Sequence, residues 1–130
     1  MNLTKIELNN IKQLIQSDDI SNHKLVIMLT VGSDKMDVNE LADMIYDYSI
    51  WEQNIHLDTS LTTCYIGDYY ITYSYNTPLV NKVIKVYRII LNNVNGHEFI
   101  SYSTFTLEDD LNSTIKYYIK QIIKLTIYET

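Results

Sequence analysis

The sequence predicts an α+β fold: an antiparallel sheet of four to six strands packed with three helices, in the order α-β-α-β-β-β-β-α. Three observations predict it. Apolar residues recur at helical spacing towards both ends of the chain, residues 55–106 alternate with a period of two and are rich in β-branched and aromatic side chains, and turn-forming residues separate those alternating runs. The 130 residues, 46% hydrophobic and 20% charged and without a low-complexity tract, are expected to form one domain, 1–130.

Thr4 followed by Glu7 is a capping-box pattern, and Ile6, Leu8, Ile11, Leu14 and Ile15 follow it at near-helical spacing up to Ser17-Asp18-Asp19. A first helix is expected over 4–16. Residues 24–31 are β-branched-rich, apolar on both faces and closed by Gly32-Ser33-Asp34, which reads as a buried strand. Asp37 with Glu40 repeats the capping logic, and Val38, Leu41, Ala42, Ile45 and Ser49 share one face of a second helix expected to reach about residue 51. Leu61, Thr63 and Tyr65 then alternate with Thr62, Cys64 and Ile66, and Gly67-Asp68 offers a tight turn into residues 69–75, making a hairpin. Asn76-Thr77-Pro78 ends it. Residues 83–91 and 99–105, joined by the turn-rich segment 92–96, form a second hairpin. Thr106 with Asp109 caps a final helix in which Leu107, Leu111, Ile115, Tyr118, Ile119 and Ile122 share a face, while Lys116, Lys120 and Lys124 line another. The one-sided helices must bury their stripes against the sheet. Strand order is not set by these patterns.

Several function classes lose support from composition. The formal charge of −6 argues against a general affinity for nucleic acid, and no apolar run approaches the roughly 20 residues that cross a membrane. The first 25 residues carry Lys5, Glu7, Lys12, Asp18 and Asp19, unlike the uncharged core of a signal peptide, and Cys64 stands alone, so a reducing cytoplasmic setting is expected. His23, His56 and His97 show no ligand spacing, which predicts no metal site. With no nucleophile elbow and three glycines in the chain, neither a catalytic residue nor a cofactor is expected.

Charge is uneven along the chain: residues 1–60 carry a balance of −6, 61–105 of +1 and 106–130 of −1. Across residues 34–58 there are seven acids against Lys35 alone. On a helical wheel Glu40, Asp43 and Asp47 lie opposite the apolar stripe, spanning about 10 Å at about 1.5 Å per residue, a length comparable with nearby phosphates on a nucleic-acid strand. Trp51, beside them on the same wheel, and Glu52 complete a candidate partner-binding face. The same acids also serve the helix dipole and solvation, and the indole fills the core if the helix ends early.

Tyrosine supplies the second candidate. Twelve Tyr occur in the chain, and the first hairpin carries Tyr65, Tyr69, Tyr70, Tyr73 and Tyr75. Alternation sends Tyr69, Tyr73 and Tyr75 to one face and Tyr70 to the other, a pattern suited both to strand formation and to a contact surface.

The function expected from these features is that of a small, acidic, non-catalytic binding protein, an inhibitor that docks Glu40, Asp43, Asp47, Trp51 and Glu52 on a basic nucleic-acid-processing protein as a nucleic-acid mimic. Anti-restriction and anti-CRISPR proteins of viruses and mobile elements are its analogues in size, charge and composition, with no shared motif. The alternative is an adaptor or immunity-type module that binds another protein through Tyr69, Tyr70, Tyr73 and Tyr75. A homodimer is compatible with either.

Overall fold

A computed structural model describes residues 3–32, 35–56, 59–76, 86–94, 96, 100–105 and 108–128; the side chains at 56, 59, 75–76, 86–87, 104–105 and 108–110 lie outside that description. Its elements are α1 (Lys5–Gln16), α2 (Ile20–Gly32), α3 (Val38–Tyr48), β1 (Glu52–His56), β2 (Thr59–Ile66), β3 (Tyr69–Asn76), β4 (Val86–Asn93), β5 (Ser101–Phe105) and α4 (Glu108–Tyr128). The class is α+β, with four helices and five antiparallel strands among the described residues.

The capping box at the start of α1 forms as read: the Glu7 N–H donates to Thr4 Oγ1 at 3.2 Å, and the Thr4 N–H donates to Glu7 Oε1 at 3.3 Å. Asp37 likewise caps α3, accepting the Glu40 N–H at 2.8 Å.

Residues 24–31 are a correction. They belong to a helix, α2, whose buried residues His23, Val26, Ile27 and Thr30 fall at i, i+3, i+4 and i+7. Two of those four stripe positions are polar, and Leu25, Met28 and Leu29 sit exposed between them, so hydrophobicity alone shows no period. The helix also starts upstream of the apolar run, where Asp19 Oδ1 accepts the Ser21 N–H at 2.9 Å. Ser17-Asp18-Asp19 thus ends one helix and begins the next. A second correction concerns α3, which stops at Tyr48 with Ser49 in an extended conformation, so Trp51 never joins its wheel.

The strands follow one another across the sheet in the order β1-β2-β3-β4-β5, each antiparallel to the next. The Gly67-Asp68 loop joins β2 to β3 with Ile66 opposite Tyr69, and Gly67 takes φ +60, a conformation open to glycine. The second expected hairpin is β4–β5, with Leu91 opposite Ser101. Its predicted start at residues 83–85, the Thr77-Pro78 break and the Thr106 cap lie outside the described residues.

One face of the sheet meets the helices. Thr62, Cys64 and Ile66 of β2, Tyr69 and Ile71 of β3, and Ile89 and Leu91 of β4 are buried against the α4 stripe of Leu111, Ile115, Tyr118, Ile119, Ile122 and Ile123, with α2 and α3 contributing Val26, Ile27, Leu41 and Ile45. The Tyr118 hydroxyl reaches β5, 3.1 Å from Ser101 Oγ and 2.7 Å from Ser103 Oγ. No described helix is long and apolar enough to cross a membrane.

Burial pushes the Cys64 thiol up to about 12, because the core disfavours the thiolate. Two outcomes follow. Ellman's reagent at pH 8 is expected to leave the folded protein unlabelled and to label the unfolded chain fully. The stability contributed by keeping the proton is present below the thiol's ordinary value of 9.0 and is lost as pH climbs from there towards about 12. Rapid labelling of the folded chain at pH 8 would contradict both.

Candidate functional site

The acidic candidates are not gathered into one site. Glu40, Asp43 and Asp47 do share the outer side of α3, but Asp43 Oδ1 lies 3.3 Å from Lys116 Nζ of α4, so the row is partly neutralised by the helix beside it. Asp47 is exposed, and Glu40 is half-buried. Lys116 also lies 5.1 Å above the Tyr46 ring, which fixes its stem across the α3–α4 seam.

Trp51 faces inward. Its indole N–H donates to the Tyr46 carbonyl at 3.1 Å, and its ring lies 5.9 Å from Tyr46 and 6.1 Å from Tyr73, both in tilted arrangements. The residue therefore closes the end of the helix layer over β3. Glu52, paired opposite Thr63, points to the other face of the sheet.

The tyrosine candidates divide as alternation predicts. Tyr69 is fully buried and Tyr73 half-buried beneath Trp51, whereas Tyr70 points away from the helices. The Tyr75 side chain lies outside the described residues. Tyr70 meets Tyr65 across the β2–β3 pair, ring centroids 5.4 Å apart.

That pair opens a row that continues over the helix-free side of the sheet. Thr63 and Thr72 face each other with their hydroxyl oxygens 3.3 Å apart, Thr72 stands opposite Ile90, and Ile90 opposite Tyr102. Leu61, Tyr65, Arg88, Ile100 and Tyr102 are exposed there, Tyr102 the most at 70%. Arg88, Ile90, Ile100 and Tyr102 line a cavity of about 290 Å³ on this surface. From β2 to β5 the row crosses three strand spacings of about 4.8 Å, which gives a face wide enough for a docked chain or helix.

Sequence reasoning missed Ile90, Ile100 and Tyr102 as surface residues. The signal was present in the alternation of β4 and β5, where Ile89 and Leu91 fill the core and leave Ile90 outward. Among the described residues, no group of three or more His, Cys, Asp or Glu side chains could hold a metal ion. No protein-family model matches this chain, and neither a curated protein nor a solved structure is significantly similar to it.

Proposed function

We propose that this chain is a protein-binding module whose contact surface is the helix-free face of its sheet, centred on Tyr65, Tyr70, Ile90, Ile100 and Tyr102. The observation that carries it is the set of aromatic and aliphatic side chains, Tyr65 and Tyr70 on one side of the Thr63–Thr72 pair and Ile90, Ile100 and Tyr102 on the other, on a face that no described helix covers. Tyrosine gives rigid contact area that tolerates water before binding, and Arg88 beside Tyr102 supplies a charged, hydrogen-bonding group to orient a partner. The acidic inhibitor reading lacks its anchor, since Trp51 turns inward, Glu52 leaves the group and Asp43 is paired with Lys116.

The test compares capture by three forms of the tagged chain: the wild type, an Ile100→Glu/Tyr102→Glu form and an Asp43→Lys/Asp47→Lys form. A partner that stays bound at high salt, is retained by the charge-reversed form and is weakened at least tenfold by the sheet-face form supports the reading. A partner that elutes with salt and is lost on charge reversal overturns it in favour of the acidic row of α3. Light scattering at micromolar concentration shows whether the partner is a second copy.

A further inference from the structure

His23 is buried in the first half of α2, and both of its ring nitrogens face carbonyl oxygens. Nδ1 lies 2.6 Å from the Tyr65 oxygen of β2, and Nε2 lies 2.6 Å from the Ile15 oxygen of α1. A carbonyl oxygen only accepts hydrogen bonds. Neutral imidazole has a single N–H, so one of the two contacts would set a lone pair against a lone pair. The imidazolium donates to both.

We infer that His23 is held as the imidazolium and that its second proton pins α1, α2 and β2 together, which gives the chain a pH-sensitive fastening. Both carbonyls suit a cation. Ile15 belongs to the last turn of α1, where carbonyls lack helical partners and the helix dipole presents its negative end. Tyr65 lies two residues past Thr63, where the pairing of β1 with β2 stops.

Asp18, which follows α1, and Glu52 of β1 line a cavity of about 260 Å³ together with His23 and Tyr65. On its own helix the neighbouring cation, Lys24, is turned to Asp68 of the β2–β3 loop at 2.7 Å, and Asp19 accepts the Ser21 N–H at the helix start. Cys64 of β2, next to Tyr65, keeps its proton in the core and adds no charge. Among the described residues lining that cavity, Asp18 and Glu52 are acidic and none is a Lys or Arg.

The direction of the pH effect follows. An unfolded histidine releases its proton near pH 6.5, roughly, while the folded chain retains it in the pin. Across that window the folded state binds more protons than the unfolded state, so stability is complete on the acidic side and falls as pH rises. For one proton the folding equilibrium constant declines by up to about tenfold per pH unit.

The experiment is done on the full chain with two readouts. Long-range nitrogen–proton NMR correlation of the imidazoles between pH 5 and 8 is expected to show both His23 nitrogens protonated above the pH at which a free histidine is neutral. Urea unfolding over the same range is expected to show the wild type losing stability with rising pH more steeply than His23→Gln, whose amide donates to one carbonyl only. A neutral tautomer of His23 throughout the range overturns the inference. So does an unchanged pH slope in His23→Gln, and if that variant does not fold the NMR result decides alone.

Discussion

Ile119→Ala should destabilise the protein by about 2–5 kcal/mol, seen in equilibrium urea unfolding as a lower midpoint with an unchanged slope. Ile119 is fully buried on α4, the helix that meets β3, β4 and β5 as well as α2 and α3. Removing its branched side chain leaves a void walled by elements on several sides, so little can collapse inward to refill it. A domain of this size holds roughly 5–15 kcal/mol in all, which makes the loss large. Tyr117→Ala, on the exposed side of the same helix, serves as the control and should shift stability by about 0.5 kcal/mol or less. If the two substitutions behaved alike, α4 would not be docked through its Leu111–Ile115–Ile119 stripe.

Trp51→Ala is the second large effect, and it separates two roles for the same residue. The indole is half-buried between Tyr46 and Tyr73 and donates to a backbone carbonyl, so truncation removes aromatic packing and a hydrogen bond together. A fully buried Trp costs about 3–5 kcal/mol on truncation; partial exposure places Trp51 at about 2–3. As the chain's single Trp it reports on itself: its emission should lie to the blue of free indole and move to the red on unfolding. A Trp51→Ala form with unchanged stability and weakened partner binding would instead make the residue an exposed anchor.

Trp51 departs from its expected place beside the acidic row for a local reason. A helical wheel extended to residue 51 places Trp51 beside Asp47, yet α3 ends at Tyr48, and beyond the extended Ser49 the Trp51 side chain lies on the inner face of the sheet. The acidic row of Glu40, Asp43 and Asp47 was legible because it lies within one helix. That Lys116 comes to rest against Asp43 was not, because the two are brought together only by the packing of α4 on α3. In the same way Tyr65 and Tyr70 could be paired from the Gly67-Asp68 turn, a local feature, whereas Tyr102 joins their face only through the register of β3 with β4 and β4 with β5.

By itself the sequence determined what short-range chemistry determines: the Thr4 and Asp37 caps, the α4 stripe, the two-residue hairpin at Gly67 and the alternation that separates Thr62, Cys64 and Ile66 from Leu61, Thr63 and Tyr65, though not which of the two sets faces the core. Tertiary structure decided the rest. Residues 20–32 form a helix because α1, α4 and β2 supply partners for a stripe that includes His23 and Thr30, polar residues whose burial no local pattern announces. The proton pin at His23 depends on Ile15 and Tyr65, eight and forty-two residues away, whose carbonyls only the packed fold brings to the two sides of one ring.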